Sequence, residues 1–248
     1  MRVDELLHHY PRLYHMADDG AWPSIRDYGL LSTSALLDLY GVVGEARHAV
    51  EARRRPAGVG LARAGLPGAA VRDQLPMTDA GLRRCLDDGM EPADWYRLLN
   101  GRVFFWPSAA RLAKLLGARA YRGTAQTVLT FDTASLVAAH RDRVELSPIN
   151  SGATIFGGPR RGRTTFLPLA EYPFATWRAK RAPADAVAEV TVPGGVPDAA
   201  RHVLVVERAV DGVRSEIWRR PSFADGEGAA VEASGGSPSS SDALSSRA

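Results

Sequence analysis

The 248-residue chain is short of cysteine and lysine: Cys85 is its one thiol, and Lys114 and Lys180 are its only lysines. A single thiol excludes a disulfide framework and any multi-cysteine zinc site, and it fits a reduced compartment. No apolar run approaches the ~18 residues that a membrane helix needs. The opening "MRVDELLHHYPRLYH" has no apolar segment of the kind that directs secretion. The expected setting is therefore cytoplasmic, with no membrane partner.

Familiar catalytic signatures are missing too. His8, His9, His15, His48, His140 and His202 form no H-E-x-x-H, so no metal site is expected. There is no G-x-S-x-G, and Cys85 lies in a charged amphipathic segment. "GGPRRG" lacks the spacing of a phosphate loop, and no G-x-G-x-x-G follows a strand.

Arginine is plentiful, and its planar fork binds phosphate and stacks on aromatic or base faces better than lysine does. Residues 223–248 are Gly/Ser-rich, carry four acids and one base, and read as a disordered tail. The remaining 222 residues hold 30 bases against 24 acids, a mild attraction toward polyanions. With no comparable linker inside it, 1–222 reads as one domain.

Along that domain, "RLYHM" predicts a strand. A helix follows, with Asp18 or Asp19 as cap, Pro23 in its first turn, Trp22 and Ile25 on one face, and Gly29 as the left-handed stop. "STSALLDLYG" predicts a second helix capped by Ser32 or Ser34. Residues 42–100, Arg-rich and broken by Gly and Pro, read as a helical covering region without sheet. "GRVFFW" is an aromatic strand, and "SAARLAKLLGA" a helix whose Leu112, Leu115 and Leu116 share a face, with Ser108 as its cap. "TVLTFDT" predicts a strand and "ASLVAAH" a helix. The stretches "VELSPINSG", "TTFLPLAEYP", "AVAEVTVPG" and "RHVLVVERAV" supply further strands. Helices early and strands late make an α+β fold.

Glu189 is the most informative single residue. It stands among Val187, Val190 and Val192 on a strand, where a carboxylate ordinarily faces solvent. With "LYHMADDGAWPSIRDYGLLS", "RVFFWPSAARL" and "AEVTVPGGVPDAARHV" in that order, the chain resembles the DarT-like bacterial ADP-ribosyltransferases, toxin enzymes that modify DNA bases, within the wider ADP-ribosyltransferase superfamily. The first block is similar to the family's opening strand and histidine, the second to its aromatic strand and following turn, the third to the strand of its catalytic glutamate.

That resemblance implies a split β-sheet ADP-ribosyltransferase-like fold, with the helical region as an insertion in its first half, and NAD as co-substrate without a metal. Cleaving the nicotinamide–ribose bond passes through an oxocarbenium-like state, which a carboxylate beside the sugar stabilises. Glu189 is then the catalytic carboxylate, and His15 holds the adenosine ribose. The backbone at Met16 grips the nicotinamide amide, Phe105 or Trp106 forms a wall for the ring, and Arg111 pairs with the pyrophosphate.

The chain departs from the family's pattern at Ala17, where a threonine is usual, and at Arg111, which stands further from the aromatic strand. Val187 occupies the place where arginine-modifying relatives carry an acid or glutamine, which points away from protein arginine as acceptor. Two basic segments precede Glu189, one with Arg160, Arg161 and Arg163, the other with Trp177, Arg178 and Arg181. Aromatics interleaved with arginines stack on bases and neutralise phosphates, so a base in single-stranded DNA or RNA is the expected acceptor. A toxin or phage-defence role follows from the resemblance, and an antitoxin partner is left open. The competing readings are a non-catalytic nucleotide- or nucleic-acid-binding domain of the same fold, and a base-modifying or hydrolytic enzyme unrelated to NAD.

Overall fold

The computed structural model describes residues 1–87, 89–154 and 158–221, so the segment read as a tail, 223–248, lies outside the described residues. The first element, helix α1 (Val3–His9), was not expected from the sequence. Its acids Asp4 and Glu5 sit in the first turn and His8 and His9 in the last, the order the helix dipole favours. Strand β1 (Arg12–Asp18) leads to α2 (Trp22–Tyr28), which has Pro23 in its first turn and buries Trp22 and Ile25. Ala21, not an aspartate, stands at the helix start, because Asp19 is drawn instead to the Arg208 guanidinium 2.9 Å away. Gly29 ends α2 at φ 86°, and a Cβ there would lie 2.5 Å from Pro197 Cα, so only glycine fits. After β2 (Leu30–Leu31), Ser32 Oγ accepts the Ala35 amide at 3.2 Å and starts α3 (Thr33–Leu39).

The region 42–100 contains α4 (Gly44–Glu51), a hairpin of β3 (Val59–Leu61) and β4 (Ala69–Val71), then α5 (Asp79–Cys85) and α6 (Pro92–Asn100). The hairpin corrects the expectation of a region without sheet. Its three-residue strands are too short, and too full of Gly and Ala, to print a period of two on the sequence.

Strand β5 (Arg102–Phe105) precedes α7 (Ala109–Leu116), which is capped by Ser108 as expected. Then come β6 (Gln126–Asp132), α8 (Thr133–His140), β7 (Glu145–Ser147), β8 (Leu167–Pro168), α9 (Phe174–Arg178), β9 (Glu189–Pro193), β10 (Gly195–Val196), β11 (Val203–Val210) and β12 (Val213–Arg219). Among the described residues, no helix is long and apolar enough to cross a membrane.

The fold is α+β, with antiparallel pairing throughout the described sheets. Two four-stranded sheets carry it, one in the order β1-β6-β11-β12 and the other β5-β9-β7-β8. The largest core cluster lies between and beneath them, with Leu13, Phe105, Phe131, Val190 and Val206 among its members. Among the described residues, the main chains of β1 and the β5 segment pair at one bridge. Tyr14 of β1 and Trp106, just past β5, exchange main-chain hydrogen bonds of 2.9 and 2.8 Å. Beyond that bridge the two strands part.

Candidate active site

The parting of β1 from β5 opens a cleft of about 380 Å³. Its lining is mainly apolar, with Leu36 from α3, Val71 from the covering region, and Phe104 and Trp106 from the aromatic segment. Polar groups interrupt it, among them His15, Arg72, Asn150 and Glu189. An apolar hollow with few convergent polar groups is the usual form of a small-molecule site. The ladder explains how the acid reaches it. Phe105 pairs with Val190, so one step further along β5 comes Trp106, and one step back along β9 comes Glu189. Hence the bridge that joins the sheets brings Trp106 beside Glu189 and, on the other strand, Tyr14 beside His15.

Residues along an antiparallel strand aim their N–H and C=O groups alternately to the two sides. Since Tyr14 aims at Trp106, Met16 aims at the opening, where its carbonyl accepts a long 3.4 Å bond from Arg72 Nη1. The Met16 side chain goes elsewhere, into a small cluster with Leu112 and Val128. What Met16 offers the cleft is therefore backbone.

His15 Nδ1 lies 2.8 Å from the Phe104 carbonyl. A carbonyl only accepts, so the proton sits on Nδ1, and Nε2 is left as an acceptor. Burial pushes the imidazole pKa down to about 4; the Phe104 hydrogen bond opposes this and the Arg72 charge adds to it. The ring is neutral at pH 7. Phe105 supports it edge-on with centroids 6.0 Å apart.

Glu189 does not face solvent. Strand β9 is an interior strand buried on both faces, and Glu189 is 3% exposed. The segment entering the strand is pinned by two buried phenols. Tyr10 donates to the Pro183 carbonyl and accepts the Val187 amide at 3.1 Å, while Tyr172 donates to the Ala186 carbonyl at 2.6 Å. Glu189 Oε1 accepts the Ser151 amide at 3.1 Å, and Oε2 has no partner among the described residues. Burial raises the carboxyl pKa to about 7, against the opposing pull of the Ser151 hydroxyl and amide and, more weakly, of the Arg161 and Arg111 charges.

Three expected cofactor residues sit differently from their assigned roles or share them with a neighbour. Phe105 is fully buried in the core and lines no part of the cleft; its neighbours Phe104 and Trp106, on the opposite face of the strand, do. Arg111 turns away to Asp185 at 3.0 Å, held there by the helix α7 that carries it. Of the arginines that line the cleft, Arg102 is paired with Glu145 and Arg55 with Asn100, whereas Arg72 has no carboxylate partner among the described residues; it stacks 4.5 Å from the Tyr121 ring centre and donates to Gln126 Oε1 at 2.9 Å. Nothing in the Arg-rich stretch around it marks Arg72 out beforehand.

The basic segments divide. Arg163 and Arg178 are exposed. Arg160 is paired with Asp87. Arg161 is buried and belongs to the interior, because its guanidinium bonds the Ser151 carbonyl at 2.9 Å and lies over Trp95. Trp177 packs against the core and is flanked by its own cations, Arg181 at 4.7 Å and Lys180 at 5.5 Å from the ring centre. Arg181 is further tied to the Pro148 carbonyl. An open stacking platform at Trp177 is not what the segment forms.

Two of the scattered histidines do meet. His140 Nε2 lies 2.7 Å and His202 Nε2 3.1 Å from the Asp198 carboxylate. Arg143 Nη2, which only donates, is 2.7 Å from His140 Nδ1 and so fixes the proton of that ring on Nε2, pointing at Asp198. A cation at Nε2 would have to displace that proton while Arg143 still occupied the other nitrogen. The group therefore reads as a carboxylate bridging two imidazoles, away from the cleft.

No curated protein matches the chain. The model of a family of unknown function, DUF7002, matches residues 11–203, a span running from just before β1 to the first residue of β11 and including both walls of the cleft. The chain belongs to the DUF7002 family.

Proposed function

We propose that the protein is an NAD-dependent ADP-ribosyltransferase whose acceptor is a base of single-stranded nucleic acid. One observation carries the reading: a neutral imidazole and a buried carboxylate, one of whose oxygens has no partner among the described residues, border the same apolar cleft, at the split between two antiparallel sheets. The split itself fits the ADP-ribosyltransferase-like architecture that the sequence resembles.

In this reading His15 Nε2 accepts a hydrogen bond from a ribose hydroxyl, and the Met16 backbone meets the nicotinamide carboxamide. Trp106 and Phe104 wall the ring. Arg72, in place of Arg111, neutralises the diphosphate through its fork. Glu189 faces the sugar carbon from which nicotinamide departs. As the C1′–N bond breaks, its electron pair leaves on neutral nicotinamide, and the positive charge left on the ribose is stabilised by the carboxylate. The acceptor nitrogen or oxygen then bonds to C1′, and its proton passes to Glu189 or water. Exposed Arg163 and Arg178 are the basic groups that remain to meet the acceptor's phosphates.

The test is transfer of label from NAD to single-stranded DNA or RNA by the purified chain. Glu189→Ala, still folded, should lose transfer by at least about two orders of magnitude. Undiminished transfer in that variant overturns the assignment of the carboxylate, and absence of NAD binding by calorimetry overturns the reading as a whole.

A further inference from the structure

Arg161 is 1% exposed, an unusual place for a guanidinium. Its main chain is fastened to the end of α5, with its N–H on the Cys85 carbonyl and its C=O on the Asp87 amide, both at 2.8 Å. The side chain then reaches inward. Nε donates to the Pro159 carbonyl at 3.2 Å, Nη1 to the Ser151 carbonyl at 2.9 Å, and the guanidinium lies 5.8 Å from the Trp95 ring centre. Ser151 is itself 1% exposed, and its amide is the group that holds Glu189 Oε1. One buried residue thus receives a cation on its carbonyl and presents its N–H to an anion.

The loop carrying Ser151 has little freedom to yield. Ser147 Oγ donates to the Ile149 carbonyl and accepts its amide, Asn150 Oδ1 accepts the Gly152 amide at 3.1 Å, and the Thr154 amide is held by the Pro76 carbonyl at 2.9 Å. Two charges in a desolvated region attract more strongly than in water, and each of these shifts the other toward its charged form. Arg111, on α7, is the other charge facing the carboxylate, and Asp185 already holds it. His15 across the cleft is neutral.

We propose that Arg161 is a positioning residue: through Ser151 it favours the charged form of the Glu189 carboxylate and fixes which of its oxygens is held by the Ser151 amide. The effect on turnover rests on the transferase reading above, whereas the coupling between the two side chains does not. The experiment is a carboxyl-carbon NMR titration of the full chain labelled on glutamate, with the Glu189 signal identified by its loss in Glu189→Gln. Arg161→Gln, which keeps a donor for Ser151 but removes the charge, should raise the Glu189 midpoint by about one pH unit or more, while Arg161→Lys should leave it within about half a unit. A midpoint unchanged in Arg161→Gln, or moved equally by Gln and Lys, overturns the proposal. Should Arg161→Gln fail to fold, the double variant Arg161→Gln/Glu189→Gln should fold again, because no unopposed carboxylate is left; a double variant that stays unfolded also overturns it. In NAD turnover, the acid limb of the pH profile should move with the NMR midpoint. A wild type that titrates as described yet consumes no NAD supports the coupling and removes the transferase reading alone.

Discussion

Glu189→Gln is expected to stabilise the protein at pH 8 and to leave its stability unchanged at pH 4, below both carboxyl pKa values. In the native chain the carboxyl pKa is raised from 4.5 to about 7, mostly by burial. Between those two values the folded state binds a proton that the unfolded chain has released, so stability falls as pH rises through that window and is fully reduced above about pH 7. At 1.36 kcal/mol per pH unit, the gap corresponds to about 3 kcal/mol. Glutamine keeps an oxygen to accept the Ser151 amide and puts an uncharged amide nitrogen in place of Oε2, which has no partner among the described residues. Above the window it therefore escapes the cost of the buried charge. Below the window both chains are neutral at this position. For a chain of this size, 1 kcal/mol moves the melting temperature by about 2–4 °C, so the variant should melt roughly 6–12 °C higher at pH 8. The assay is thermal unfolding of both proteins across pH 4–8. A variant that melts lower at pH 8, or a difference that does not vary with pH, would refute the claim that burial without full pairing governs this carboxylate.

NAD turnover should rise with pH through about pH 7 as Glu189 ionises, while His15, with its pKa near 4, stays neutral over the same range; a profile flat from pH 6 to 8 would contradict this. Arg72→Ala should raise KM for NAD tenfold or more with a smaller change in kcat, since a diphosphate contact made equally in ground and transition states affects binding alone; an unchanged KM would remove Arg72 from the ligand. Gly29→Ala should lower the melting temperature, because a left-handed backbone at φ 86° and a 2.5 Å approach to Pro197 together cost at least about 1–3 kcal/mol; a melt equal to wild type would show that the turn can relax. Replacing Arg163 and Arg178 with glutamine should flatten the salt dependence of single-strand binding by roughly 0.7 per lost phosphate contact, and an unchanged slope would move the acceptor elsewhere.

Much of the scaffold was legible because its signals are local. Gly29, Pro23 and Ser108 mark helix ends through their own backbone preferences, and the aromatic strand shows its hydrophobic run directly. Strand β12 carries no such signal: "VRSEIWR" mixes charged and apolar residues without a clean period of two, and it is an exposed edge strand. Within the candidate site, His15 and Glu189 stood out through the resemblance of whole blocks, but the strand pattern alone pointed the carboxylate toward solvent. It could not reveal that β9 is sandwiched between β5 and β7. The sequence also left Phe105 and Trp106 as alternatives, since "VFFW" does not say which of its two faces meets the cleft. Arg72 and Arg161 were beyond local reading altogether. Each sits in an Arg-rich stretch that looks solvated, and what distinguishes it is a contact from far along the chain: Gln126 and Tyr121 for Arg72, Ser151 and Trp95 for Arg161.

The joint between the sheets sets a geometric condition on the whole site. Because Tyr14 and Trp106 clasp each other by a single reciprocal pair of bonds, the imidazole one residue along from the first and the acid one strand over from the second share a common pivot. Strand spacing thus sets the distance between the backbone positions that carry them. A ligand seated in the gap meets two jaws whose hinge is already closed.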